Sequence, residues 1–228
     1  MLTDAELQAL WLTFKVSARA VLFALPFAIA CAWLLARRRF PGKTLFDGVV
    51  HLPLVVPPVV VGYLLLVLFG IKGVLGQPLN DWFGIRLVFT AAGASLAIAV
   101  TTFPLMVRAI RLSIEAIDAG LEDAARTLGA RPVDRFFTIT LPLMLPGVLA
   151  GAVVAFSAGL GEFGAVITFV SNIPGETQTL PLAIYTATQT PGGEAAAARL
   201  ALLSISLALA GLILSEQLAR RLQRMLGG

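Results

Sequence analysis

Residues 121–142 read LEDAARTLGARPVDRFFTITLP. Leu121, Ala124, Ala125 and Leu128 recur at helical spacing on one face, with Glu122 and Asp123 in the first turn, where the helix dipole favours acids. Gly129 then supplies a stop. After nine intervening residues come Ile139, Thr140, Leu141 and Pro142. Upstream, Ala109, Ile110, Leu112, Ile114, Ala116 and Ile117 carry an earlier helix forward, and Gly120 marks a break between the two helices. The whole segment from Arg108 to Arg135 holds five arginines together with Glu115, Asp118, Glu122 and Asp123. Uncharged runs flank it, Leu87 to Val107 before and Phe136 to Gly161 after. A charged amphipathic island between two such runs is a loop at one face of a bilayer.

Composition places the island in a polytopic membrane protein. Of 228 residues, 58% are hydrophobic and 13% charged, against roughly a quarter charged in soluble domains. Mean hydropathy is +0.89. Three further apolar runs complete the pattern: Ala20 to Ala36, Gly48 to Ile71 and Leu200 to Ser215. The first and last are short, and Lys15, Arg19 and Arg199 extend them by snorkelling to the interface. The expectation is an all-α, single-domain chain over 1–228. Its five transmembrane helices fall at about 11–36, 48–71, 87–107, 140–170 and 197–217, and its loop at about 108–136. The acidic start, Asp4 and Glu6, differs from a basic signal-peptide n-region, so the first run reads as a retained helix.

Basic residues set the sidedness. Arg37, Arg38, Arg39 and Lys43 follow the first run, five arginines occupy the island, and Arg220, Arg221 and Arg224 lie in the tail, twelve in all. The other two gaps hold only Lys72 and Arg86. The positive-inside rule then puts the N-terminus outside and the C-terminus inside. The single Cys31 cannot form an intrachain disulfide and the single His51 cannot build a His-rich metal site. No metal site and no catalytic residue is expected, and no Gly-x-x-x-x-Gly-Lys-Ser/Thr is present. Prolines at 26, 53, 57, 58, 142 and 146 interrupt the runs, either as packing kinks or as irregular backbone along a pathway.

The spacing Asp123-Ala124-Ala125, three residues, Gly129, nine residues, Ile139-x-Leu141-Pro142 resembles the EAA loop of ABC importer permeases. Asp123 stands in place of the family's Glu, with Glu122 beside it. Phe40 to Gly42, His51 to Gly70, Phe103 to Leu112, Gly161 to Thr179 and Gln189 to Glu194 extend the likeness over essentially the whole chain, toward the permease subunits of bacterial molybdate importers in their shorter five-span version. The resemblance implies a type I ABC importer permease fold in the bacterial inner membrane. It also implies a homodimer that docks two ATP-binding cassette subunits through Glu122, Asp123, Ala124, Ala125, Gly129, Ile139, Leu141 and Pro142. ATP and Mg are then bound by the partner, with no cofactor in this chain, and molybdate arrives from an external binding protein. Nucleic acid is not an expected partner. Tungstate and sulfate permeases are the close alternatives, and an ion-gradient transporter or a membrane-embedded enzyme the more distant ones. An interfacial amphipathic helix without a docking role is the plain alternative for the loop.

A tetrahedral dianion needs donors without a trapping cationic site. Ser95, Thr101, Thr102, Ser157 and Thr168 are the pathway candidates, although hydroxyls on helices also bond their own backbone carbonyls. Glu162 continues into apolar Ala165 to Val170, which places an acid at membrane depth with a gating or structural role and Arg19 or Arg199 as its partner. The stretch Leu180 to Thr188, within an outer segment lacking basic residues, is too short to cross and reads as a re-entrant or surface helix.

Overall fold

A computed structural model describes residues 3–226, with side chains at 119, 122, 212, 214–216 and 218–226 outside the described set. Every regular element among them is helical. Helix α1 (Asp4–Arg37) starts in a capping box. The Glu6 N–H donates to Thr3 Oγ1 at 3.3 Å, and the Thr3 N–H donates to Glu6 Oε2 at 2.8 Å. Helices α2 (Lys43–Val55) and α3 (Pro58–Phe69) follow, bent by 113°. The bend has a local cause. Val56 and Pro57 each precede a proline, and both are held extended at ψ 137° and 135° rather than helical. The stretch expected as one span from 48 to 71 is therefore a broken pair.

Helix α4 (Gly76–Phe83) leads to α5 (Ala91–Glu115), which runs well beyond Val107. Short α6 (Ala119–Thr127) and α7 (Pro132–Arg135) come next, then a π turn over Phe136–Thr140 that merges into α8 (Leu141–Leu160). After a gap come α9 (Gly164–Val170), α10 (Leu180–Gln189) and α11 (Glu194–Leu226). Among the described residues, four helical stretches are long and apolar enough to cross a bilayer: α1, α5, Pro132–Leu160 and Glu194–Gly211. Counting α2 with α3 as one broken span gives five.

Helix α5 is the central element, packed against α1 on one side and α8 on the other. Leu35, Ile98, Met106, Ile110, Ile114 and Met144 are fully buried along these seams. The α5–α8 seam is built from small residues. A side chain at Gly147 would overlap Ser113 Cβ, and one at Gly151 would sit 3.2 Å from Ala109 Cβ. Gly147 and Gly151 are one turn apart and face Ser113 and Ala109, also one turn apart, so the two backbones meet closely, as membrane helices do. Outward, Leu22, Phe23, Phe27, Tyr63, Leu202 and Ile205 are exposed. So many bare apolar side chains suit a lipid or protein surround and would be costly in water.

Candidate functional site

The island forms a helix held by its caps. The Asp118 carboxylate accepts from the Gly120 N–H at 2.8 Å and starts α6 at Ala119. The expected break at Gly120 therefore falls earlier, at Asp118, and Gly120 lies inside the helix. The far end is a Schellman motif. The Ala130 N–H donates to the Ala125 carbonyl at 3.0 Å and the Gly129 N–H to the Arg126 carbonyl at 3.1 Å, with Gly129 at φ +83°. Left-handed backbone is what Gly129 supplies, and no atom lies within 4 Å of where its Cβ would be.

Both ends being fixed, α6 presents a surface. Leu121 is 48% exposed and Leu128 87% exposed, beside exposed Ala124 and a half-buried Ala125. Asp123 is exposed and 3.9 Å from Arg126. The Glu122 side chain lies outside the described residues. Ile139, Leu141 and Pro142 do not share this surface. They form the root where the loop re-enters the bundle. Pro142 has no N–H, and its ring would crowd the carbonyl of residue 138 in an α-helix. The chain widens there into the π turn, where the Leu141 N–H reaches the Phe136 carbonyl. The pattern thus divides into an exposed helix with its exit and a re-entry point at which Ile139 and Leu141 are half-buried and Pro142 is exposed.

A bridge that the sequence reading missed fixes the C-terminal end of α5. Arg111 Nη1 lies 2.8 Å from Asp47 Oδ2 on α2, and Arg111 Nε lies 2.8 Å from Glu115 Oε1. His51 Nδ1 lies 3.0 Å from Asp47 Oδ1. The i,i+4 half was readable, whereas Asp47 and Arg111 are 64 residues apart and carry no local signal.

Most of the hydroxyl candidates bond within their own helices. Ser95 donates to the Ala91 carbonyl at 3.0 Å, Thr102 to Ile98 at 2.7 Å and Thr168 to Gly164 at 2.7 Å, and Thr101 is shared between Ala97 and Ile98. Four of the five donors are thus spent on their own helices, and a spent donor offers an anion nothing. Ser157 Oγ is buried and has no hydrogen-bond partner among the described residues.

Glu162 lies in the gap between α8 and α9, and its carboxylate accepts from the Ala165 N–H at 3.0 Å. A negative group at that helix start satisfies an orphan donor and opposes the dipole. The expected pairing with Arg199 is corrected: Arg199 Nη2 lies 2.9 Å from Glu6 Oε1 and ties the start of α11 to the start of α1. On the same side, the Leu180 N–H donates to Thr13 Oγ1 at 2.7 Å, and Leu180 and Leu182 are buried. Helix α10 is thereby pinned to α1.

Residues 24–224 match the family described as binding-protein-dependent transport system inner membrane component. The chain belongs to that family. It is 64% identical over 220 residues to the molybdenum transport system permease protein ModB of Escherichia coli K12, covering 96% of each chain. The corresponding ModB of Haemophilus influenzae is 59% identical over 222 residues, covering 97% of each. Among solved structures, a bacterial ABC transporter involved in import of the acidic polysaccharide alginate superposes with a TM-score of 0.76 at 18% identity. That match covers 96% of this chain and 80% of the other. At that identity the match establishes the fold: this permease has the architecture of an ABC importer membrane subunit.

Proposed function

We propose that this chain is the membrane subunit of an ATP-driven molybdate importer, acting as a homodimer in the bacterial inner membrane with its N-terminus outside. In this reading two ATPase subunits bind through α6, and an external binding protein delivers the anion. The observation that carries the coupling role is the capped, outward-facing α6 with Leu121, Asp123, Ala124 and Leu128 exposed. Small alanines let a partner groove approach closely, and the fixed ends let a push be transmitted rather than absorbed. That push reaches the rest of the bundle through the close α5–α8 seam and the Asp47–Arg111 bridge, so movement of α6 carries its two long neighbours with it. ATP-driven closure of the ATPase pair would draw the two α6 helices together and open the path outward.

The choice of molybdate rests on the 64% identity to the E. coli relative over nearly the whole chain. Proteoliposomes containing this chain and its ATPase subunit are expected to accumulate molybdate only when ATP and the loaded binding protein are both present. Uptake driven by a proton gradient alone would overturn the reading. Equal uptake of sulfate delivered by its own binding protein would move substrate selection off this subunit.

A further inference from the structure

Where α1 ends, its last turn meets α6 and α7 around a cavity of about 430 Å³. Arg37, Arg38, Arg126 and Arg135 line it, with Asp123 as the acid among the described residues. Arg126 stands 3.9 Å from Asp123, a loose pairing between exposed side chains. Arg135 Nε is buried and donates to no acceptor among the described residues. Arg38, Arg126 and Arg135 place three positive charges around it, against the one carboxylate of Asp123 among the described lining residues.

Beside this cavity lies an apolar groove of about 460 Å³, lined by Pro26, Ile29, Ala30, Val133 and Phe137. Trp33, Arg38 and Phe136 border both spaces, and the Arg38 guanidinium lies 5.2 Å from the Trp33 ring centre. From Pro26 to Arg38 the helix rises about 18 Å, close to the depth of one leaflet of a core about 30 Å thick. A basic pocket at the interface, rimmed by aromatic side chains and continued by an apolar groove one leaflet deep, has the two-part chemistry of a phospholipid.

We infer that this site holds an anionic phospholipid, its phosphate among Arg38, Arg126 and Arg135 and one acyl chain in the groove beside α1. A free phosphate would leave the groove unused, and a carboxylate of a soluble partner would not reach along α1 into the bilayer. Arg126 and Asp123 belong to α6, so the headgroup ties that helix to the end of α1 and is a structural part of the coupling surface. The inference rests on the proposed orientation, in which this face meets the anionic inner leaflet. Its test uses neither ATPase nor molybdate, so it can fail independently.

The permease is purified in detergent, and retention of phosphatidylglycerol, phosphatidylcholine and inorganic phosphate is measured by native mass spectrometry and titration. Phosphatidylglycerol is expected to bind more tightly than phosphatidylcholine. Arg38→Gln and Arg135→Gln are each expected to weaken it about 5-fold, with Arg135→Lys retaining most of the affinity. Ala30→Trp, filling the groove, is expected to weaken the lipid about tenfold by excluding roughly two methylenes while leaving phosphate binding unchanged. Circular dichroism and elution volume establish that each variant is folded. Equal binding of the two lipids overturns the inference. So does an Ala30→Trp variant that binds phosphatidylglycerol normally while the arginine variants lose phosphate, which would make this a free-anion site. Arginine variants that keep the lipid but lose affinity for the ATPase subunit would overturn it as well, assigning the cavity to a partner carboxylate.

Discussion

Replacing Gly129 with alanine isolates the exit of α6 from everything else in the permease. Its φ of +83° lies in the left-handed region, where an L-residue costs about 1–2 kcal/mol. Because no atom lies within 4 Å of the added Cβ, no steric clash contributes and the whole cost is conformational. The alternative open to the variant is to unwind the last turn, which gives up the Ala130-to-Ala125 and Gly129-to-Arg126 hydrogen bonds. A penalty of that size lowers the ratio of closed to unwound exits about 5- to 30-fold. The bundle itself is expected to remain intact, since α6 stands outside the α1–α5–α8 core. The assay is binding-protein-stimulated ATP hydrolysis in proteoliposomes, read together with molybdate taken up per ATP. Gly129→Ala is expected to reduce both while the thermal midpoint of the purified permease stays near that of the unaltered protein. Gly129→Asn, which tolerates left-handed backbone, is expected to fall between the two. Full coupling in Gly129→Ala, or equal impairment by Asn and Ala, would refute the argument that the Schellman exit positions the helix.

Three further outcomes follow from the packing and the caps. Gly147→Ala drives a methyl into Ser113 and is expected to destabilise by about 1–3 kcal/mol; adding Ser113→Gly should recover part of the lost thermal midpoint, and no recovery would place the strain elsewhere. Glu6→Ala removes both the capping box and the Arg199 pair, an expected loss of about 1–3 kcal/mol, read as earlier thermal unfolding in detergent; Arg199→Ala alone should cost less, because the box survives. Glu162→Ala leaves the Ala165 N–H without its acceptor, at about 1 kcal/mol, and is expected to impair transport more than Glu162→Gln, whose amide oxygen still accepts; equal impairment would show that the charge itself is needed.

Several features were readable because their causes are local. The helix at 119–127 follows from apolar spacing and a glycine stop, and its start at Asp118 rather than Gly120 was available to a stricter reading of capping preference. The bend between α2 and α3 also had a local cause in Pro57 and Pro58, but prolines alone do not distinguish a kink from a turn of 113°. For the hydroxyl candidates the sequence left two readings open, and the structure shows four of the five bonded to carbonyls of their own helices. Side-chain type shows that a donor exists, and helix geometry decides whether it is already used.

The sequence by itself determined that this is a polytopic helical membrane protein and located its charged loop, because hydropathy and helical periodicity act over neighbouring residues. Only the tertiary structure decided which distant partners meet. Arg199 went to Glu6 rather than Glu162, Arg111 to Asp47, and three separated basic segments converged on one cavity. Pairing between residues far apart depends on how rigid helices cross, and crossing is set by small-residue seams such as Gly147 against Ser113, which no single stretch of sequence contains.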